Sequence, residues 1–495
     1  MKTLRELLSG IPCSWNGKGE LATAISHVQS DSRKIQPGDL FVAISGFHDD
    51  GYQFIKDAIR KGAKAVVAER FDSLASDLGI PQFSVPNARA VLSHLVACSY
   101  DFPAQKLTCI GVTGTNGKTT TTFLIQYLLN AVSRSGLIGS IYYDDGKDKQ
   151  AAESTTPVPE VLNETLARMV QNGLSYCVME ISSHALDQNR TRDIAFSSAV
   201  FTNLTQDHLD YHHDYEAYYQ AKRKLFFGNF IPKHSIVNAD DSFGTRLLKE
   251  LSKRDGIVSY GEKGSRDYLA QQIQIGLNGI AFDLIHSRRN FSVAVPLILQ
   301  HNVYNTLAAL STVSEEGFSL NDLIPELSSF SGVPGRLERI DEGQDFQVFV
   351  DYAHTPDGLH NVLSSLGGLS KNRVISVFGC GGDRDRGKRP MMGKIVSRFS
   401  DVVILTSDNP RSEKPEDILE EIKRGIDGNL KKTKLIVNPD RKEAIRQAIG
   451  LAESGDLIFV FGKGHEDYQI IGKEKKPFSD QAVVRQWLRE HVHAS

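Results

Sequence analysis

Short runs of apolar residues alternate along almost the whole chain with longer stretches in which apolar residues recur every three or four positions, the pattern of strands separated by amphipathic helices. Through residue 101, the runs 39–44 and 65–68 predict strands and 52–61 predicts a helix, so a small α/β unit is expected there. From 107 the order becomes strand (107–112), glycine-rich turn (113–117) and helix (118–130). Strands at 175–181 and 198–201 and helices at 159–171 and 215–226 follow, which predicts a mostly parallel sheet and a domain boundary near Pro334-Gly335. Beyond it, strands at 346–350, 374–378, 402–405 and 457–461 are separated by helices at 388–399, 415–425 and 441–452, an order that suits a second doubly wound sheet. The expected fold is therefore α/β in three domains, over 1–101, 102–335 and 336–495, without internal repeats or low-complexity segments.

Length agrees: 495 residues, at roughly 100 to 200 per domain, call for about three cores rather than one. With 40% hydrophobic and 24% charged residues, composition separates no enzyme from a binding module. A formal charge of -3 without long Lys/Arg runs argues against a nucleic-acid partner. The cysteines (Cys13, Cys98, Cys109, Cys177, Cys380) are odd in number and lack metal-ligand spacing, which suits packing roles in a reducing compartment. The first eight residues lack the apolar stretch of a signal peptide, and no window approaches about 20 apolar residues, so a cytoplasmic protein without membrane insertion is expected.

The first chemistry lies in Gly114-Thr115-Asn116-Gly117-Lys118-Thr119-Thr120, between an apolar strand and a helix. In that setting backbone N–H groups and the helix N-terminus attract phosphate oxygens. Lys118 would meet the β- and γ-phosphates and the Thr119 hydroxyl a Mg2+ ion. The general spacing asks for glycine where Val112 stands, so this is a variant loop, read here as a site for ATP or GTP.

Further motifs follow in order: Met179-Glu180-Ile181-Ser182-Ser183-His184; Thr202-Asn203-Leu204 with Asp207-His208-Leu209-Asp210-Tyr211-His212; Asp351-Tyr352-Ala353-His354-Thr355-Pro356. Phe378-Gly379-Cys380-Gly381-Gly382-Asp383-Arg384-Asp385, Asp408-Asn409-Pro410-Arg411 and Gly462-Lys463-Gly464-His465-Glu466 complete the series. Together with the loop they resemble the Mur ligases over nearly the whole chain. The resemblance implies a central P-loop ATPase-like sheet flanked by an N-terminal uridine-binding domain and a C-terminal Rossmann-like domain. It also implies an acid–amino-acid ligase that converts ATP to ADP and phosphate in peptidoglycan precursor synthesis, a process of cell-wall biogenesis tied to cell shape and division, and a monomer is expected.

Activating a carboxylate as an acyl phosphate needs cations along the path of phosphoryl transfer. Glu180 ends an apolar strand and His208 follows the Thr202 turn, so both could reach the loop at the C-terminal edge of one sheet. On chemistry alone a lone histidine is more often structural, since Mg2+ prefers oxygen; the resemblance makes His208 a ligand beside Thr119 and Glu180. Lys222, by itself an ordinary helix lysine, matches the family's carbamylated lysine, whose modification turns a cation into a metal-binding carboxylate. Lys224 is the alternative position, and the Asp207–His212 motif favours Lys222. Asn302 and Asn305, preceded by His301, match positions that meet the nucleotide together with Arg336 and Asp351, and His354 lies near the phosphates without an assigned proton transfer.

For the muramoyl substrate the resemblance points to Ser30 and Ser32, to Phe47, His48 and Asp49 at a uridine turn, to Ser154, Thr155 and Thr156, and to Ser182, Gln188 and Arg190. By itself Thr155-Thr156-Pro157 reads equally as a helix cap. Asp408, Asn409, Pro410 and Arg411 match the signature of members that add meso-diaminopimelate to UDP-N-acetylmuramoyl-L-alanyl-D-glutamate. Arg411 and Arg384 would clasp the distal carboxylate, because a guanidinium fork pairs with a carboxylate through two hydrogen bonds, and Glu466 with the backbone near Gly462 would meet the distal ammonium. L-Lysine is the runner-up amine. A folylpolyglutamate synthase is the alternative ligase, and a P-loop switch or motor the alternative of another class. Because loop and amine site fall in different predicted domains, closure of the third domain over the second is expected.

Overall fold

The structure is a computed structural model that describes residues 1–46, 50–367, 372–426 and 433–494. It divides into two compact units: residues 1–271 with 283–291 and 304–326, and residues 272–282 with 292–303 and 327–495.

Besides the short antiparallel pair Lys2–Thr3 with Ala24–Ile25, the first unit holds two large sheets. In the N-terminal one, the strands Gln82–Ser84, Ala65–Ala68, Leu40–Val42 and Val28–Gln29 lie parallel in that order, with Ser14–Trp15 antiparallel on the edge. Leu40, Val42, Ala65 and Val67 face the helix Ala88–Ser99, while Phe41, Val66 and Ala68 face Ile55 and Ala58, so both faces are covered and the strands read as continuous apolar runs. The predicted helix at 52–61 begins as the 3-10 turn Gly51–Phe54 and is α-helical only over Ile55–Arg60. Asp50 accepts a hydrogen bond from the Tyr52 N–H, which favours the tighter opening turn.

The central sheet runs parallel in the order Ser135–Ile138, Tyr176–Glu180, Thr108–Thr113, Phe196–Phe201, His234–Asn238, Ile257–Gly261. Thr108–Thr113 is the earliest of these in the chain yet lies in the middle. Its two neighbours are reached by crossovers in opposite directions, so its C-terminal end is a topological switch point, the place where such sheets bind ligands. The helix Pro159–Gln171 has proline in its first turn, where a missing N–H costs nothing, and buries Leu162, Leu166 and Met169. Strands at 135–138, 234–238 and 257–261, and three longer ones from Tyr268 to Val295, were not foreseen from the periodicity.

In the second unit, Gln347–Asp351, Leu457–Phe461, Val374–Phe378, Val402–Leu405 and Lys434–Val437 form a parallel sheet, with Glu338–Ile340 antiparallel on its edge. Phe349, Phe459 and Phe461 point to the helices Pro356–Gly367, Lys388–Phe399 and Pro415–Lys423. Val348, Val350, Ile458 and Val460 point the other way, to Arg441–Leu451 and Asp480–Ala494. Strict alternation of side-chain direction thus supplies both cores from the same strands.

Candidate active site

The loop 114–117 leaves the central strand at the switch point and leads into the helix Lys118–Val132. Its geometry depends on glycine twice. Gly114 has φ 152° and a Cβ there would overlap the Thr202 hydroxyl, while Gly117 has φ 85° and a Cβ would overlap the Asn305 amide oxygen. Thr202 Oγ1 donates to the Asn116 carbonyl at 2.6 Å and the Asn116 N–H donates to Asn203 Oδ1 at 2.9 Å, so the turn after the next strand moulds the loop.

Two lysines converge on this loop. Lys118 Nζ donates to the carbonyls of Gly114 (2.9 Å) and Thr115 (2.8 Å), and Lys222 Nζ donates to the Gly114 carbonyl at 2.7 Å. Lys222 is buried, with its ammonium position 4.4 Å from the Tyr218 ring centre. Burial first, and the Lys118 charge second, push its pKa well below the ordinary lysine value. Lys224, two residues on and so on another face of the helix, ends at the surface on Asp187 at 2.7 Å.

Glu180 is fully buried where its strand ends beside the loop. Its carboxylate accepts from Thr119 Oγ1 (3.0 Å), the Ser140 N–H (2.8 Å) and Ser140 Oγ (3.0 Å). A buried carboxylate and a threonine hydroxyl at the mouth of a phosphate loop are hard oxygen donors of the kind Mg2+ uses. Among the described residues no group of three or more His, Cys, Asp or Glu is arranged to hold a metal ion by itself. His208 stands nearby on left-handed backbone (φ 52°), half exposed, with Nε2 3.4 Å from the Asp207 carboxylate.

His212, in the same motif, is buried, bonds Ser183 Oγ through Nε2 at 2.9 Å and stacks on Tyr218. Burial, then the neighbouring His184, holds its pKa at about 4, below the ordinary 6.5. The neutral ring is the folded form, so its contribution is complete above about 6.5 and is lost as pH falls toward 4, by about 3 kcal/mol. The denaturant midpoint should therefore drop between pH 7 and pH 4.5, and the drop should shrink in His212→Asn; an equal drop in both proteins would contradict the assignment.

Most of the residues expected on the muramoyl side gather at the seam of the two large sheets of this unit. Thr156 Oγ1 donates to the Glu180 carbonyl (2.7 Å) and accepts from the Ser182 N–H (2.9 Å), Thr155 Oγ1 lies 3.0 Å from Ser140 Oγ, and Ser154 Oγ donates to the Thr156 carbonyl. Arg190 donates to the Thr156 carbonyl (2.7 Å) and to Gln188 Oε1 (2.8 Å). From the N-terminal sheet, Ser30 reaches Glu160 Oε1 through both its N–H (2.9 Å) and its hydroxyl (2.6 Å). A cleft lined by Ser30, Ile44, Arg89, Leu92, Gln188 and Arg190 results. Arg89, Glu160 and Ser140 belong to it or support it and no sequence motif marks them. Ser32 stands apart, its carbonyl accepting from Lys61. Phe47, His48 and Asp49 lie outside the described residues.

Asn305 Oδ1 accepts from Thr121 Oγ1 at 3.3 Å, which sets it against the phosphate-loop helix. In the second unit, Asn302 Nδ2 donates to the Ile298 carbonyl at 2.6 Å. There too, Asp351 accepts from the Leu337 (2.7 Å) and Ala353 (2.8 Å) N–H groups at the end of its strand, and burial raises its pKa despite the Arg336 charge. His354 is exposed and bonds the Tyr352 carbonyl through Nδ1 at 2.8 Å.

The strand ends of the same sheet carry Asp408, Asn409, Pro410, Arg411, Gly462 and Glu466. Asn409 Nδ2 donates to Glu466 Oε2 at 3.0 Å, and Arg411, on left-handed backbone (φ 51°), donates through Nη1 to the Gly382 carbonyl at 2.8 Å. Arg384 is exposed one residue from Asp383, whose carboxylate accepts from Ser412 Oγ. Below them the buried Arg441–Asp480 pair donates from Arg441 Nη2 to the Phe461 carbonyl at 2.8 Å, and Arg389, also buried, binds Glu413, Glu421 and the Gly381 carbonyl. Neither arginine was singled out in the sequence, because each acts on loops distant from it along the chain.

Family models match in three blocks: the Mur ligase family catalytic domain over 24–100, the Mur ligase middle domain over 112–313, and the Mur ligase glutamate ligase domain over 335–464. A protein of Geobacillus thermodenitrificans named UDP-N-acetylmuramoyl-L-alanyl-D-glutamate--2,6-diaminopimelate ligase is 42% identical over 98% of this chain and 99% of its own. The chain belongs to the Mur ligase family. A second Mur ligase of the same printed name, from Gloeobacter violaceus, is 43% identical over 94% of each chain. A solved Mur ligase structure with that name is 32% identical over 99% of both chains, with TM-score 0.73. The folylpolyglutamate synthase of Mycobacterium tuberculosis matches at TM-score 0.59 and 18% identity over 74% of this chain, a likeness of fold alone.

Proposed function

We propose that the protein is an ATP-dependent ligase that adds meso-diaminopimelate to UDP-N-acetylmuramoyl-L-alanyl-D-glutamate, with release of ADP and phosphate, in peptidoglycan precursor synthesis. The observation that carries this reading is a single chain holding both a phosphate loop whose Thr119 hydroxyl touches the buried Glu180 carboxylate and, at the strand ends of another sheet, the Asn409–Glu466 pair beside Arg411. The names of the relatives above support it.

The peptide carboxylate is activated as an acyl phosphate and the amine then attacks its carbonyl carbon. Lys118 and the helix N-terminus behind it offset phosphate charge. Thr119 and Glu180 would hold Mg2+, with His208 beside them, and the ion when bound neutralises charge on the phosphates. Lys222 supports a carbamate in its place: a buried amine pushed toward its neutral form is nucleophilic toward CO2, and the product anion would sit near Lys118 instead of a second cation. Ser30, Gln188 and Arg190 line the cleft suited to the nucleotide end, and Thr155 and Thr156 the approach to the loop. Arg411 and Arg384 take the distal carboxylate of the diamino acid, and Glu466 its ammonium.

Phosphate release tests the reading. It should rise only when ATP, UDP-N-acetylmuramoyl dipeptide and meso-diaminopimelate are all present, and should be slower with L-lysine. Release independent of peptide and amine would place the chain among nucleotide-driven switches instead.

A further inference from the structure

In Gly462-Lys463-Gly464-His465-Glu466, Gly462 and Glu466 belong to the proposed amine site, and the lysine lies between them. Lys463 is fully buried at the end of the strand Leu457–Phe461. A buried ammonium persists only when its charge is met, and here Nζ donates to Glu466 Oε2 at 2.9 Å and to Asn409 Oδ1 at 3.2 Å, with the Tyr468 ring centre 5.4 Å away. Asn409 is thereby fixed. Its Oδ1 also accepts from the Ile470 N–H at 2.9 Å, which leaves its Nδ2 to donate to Glu466 Oε2 at 3.0 Å. Both donors use the same carboxylate oxygen, and among the described residues no hydrogen bond is made to Oε1 of Glu466, the oxygen left to a ligand.

The charges then balance. Lys463 and Arg411 are positive and Glu466 and Asp408 negative, so these four cancel, while Arg441 is neutralised by Asp480 in its own buried pair. Asp383 and Arg384, of opposite charge, are exposed at the rim, where Arg384 Nη1 donates to the Asp383 carbonyl. A neutral cluster presenting the Glu466 Oε1 atom and the Arg411 guanidinium, with Arg384 at its rim, suits a ligand centre that carries one ammonium and one carboxylate. Without Lys463 the same cluster is −1, the complement of a lone ammonium.

We propose that Lys463 determines the choice of amine: by cancelling the charge of Glu466 it makes the site favour a zwitterionic side-chain centre over the bare ammonium of lysine. The assignment rests on the diaminopimelate reading. It makes Lys463 a specificity-determining residue that acts through Glu466 and Asn409 and touches no reacting atom.

The test is the ratio of kcat/KM for meso-diaminopimelate to that for L-lysine, measured on one preparation so that the fraction of folded enzyme cancels. In Lys463→Met the ratio should fall about tenfold or more, because specificity is a difference between two affinities and only one of the two amines gains from the uncovered carboxylate. Lys463→Arg keeps the charge and should hold the ratio near the parent's even if turnover drops. Where the methionine variant does not fold, Lys463→Gln retains a donor toward Asn409 and loses only the charge, and should show the same fall. Equal losses for both amines in the uncharged variants would overturn the assignment and leave the functional reading intact. A parent enzyme that uses both amines equally would overturn that reading, and this assignment with it.

Discussion

Turnover in Glu180→Gln should be lower by about 10³-fold, with a thermal midpoint close to the parent's. The substitution keeps the size of the side chain and one carbonyl oxygen to accept from the Ser140 N–H. The new amide group would face the Thr119 and Ser140 hydroxyls, which can rotate from donating to accepting, so no buried polar atom is stranded. What is lost is a negative charge at the mouth of the phosphate loop, where water is excluded and charge counts most. Steady-state phosphate release with all substrates, set beside calorimetric unfolding, separates the two effects. A variant that keeps more than a tenth of the parent's turnover would remove Glu180 from the reaction.

Arg411→Ala should lower kcat/KM for meso-diaminopimelate by about 10² to 10³-fold, the cost of leaving a desolvated carboxylate without its guanidinium, and that for L-lysine by less than about tenfold. Part of the damage could be general, since Arg411 also ties the Gly382 carbonyl. Other contacts keep that loop in place, however: Asp383 accepts from Ser412, and the buried Arg389 holds both Glu413 and the Gly381 carbonyl. The Arg411 N–H bond to Ile470 is backbone and survives the change. Parallel assays with the two amines decide, and equal losses would mean that Arg411 shapes the loop without reading the substrate.

What the sequence disclosed depended on how far each signal reaches along the chain. Strands buried on both faces, such as Val374–Phe378, Val402–Leu405 and Leu457–Phe461, are unbroken apolar runs and their bounds could be read directly. Ser135–Ile138 is only four residues with a glycine among them, too short to show a period, and Tyr268–Gly276 is buried irregularly; Gly279–His286 and Arg289–Val295 do alternate, with Ile280, Phe282, Leu284, Val293 and Val295 buried, a period-2 signal that the sequence carries. The phosphate loop was legible because its chemistry is local. Ser140 was not, since it follows an unforeseen strand, and Lys463 could not be told from any solvated lysine until the fold closed Asn409 and Glu466 around it. The same holds for Lys222, whose burial beneath Gly114 is a property of the packed helix and not of its neighbours in sequence.

The stretch from Thr155 to Glu160 touches the Glu180 neighbourhood at one end, through Ser140, and the N-terminal sheet at the other, through Ser30. Its second half is the opening turn of a helix and cannot stretch. Under the proposed function this short segment would act as a gauge rod: a donor whose nucleotide and peptide are spaced a few ångströms too near or too far would seat one end and miss the other. Analogues with altered spacers should accordingly lose binding even when both of their terminal groups are unchanged.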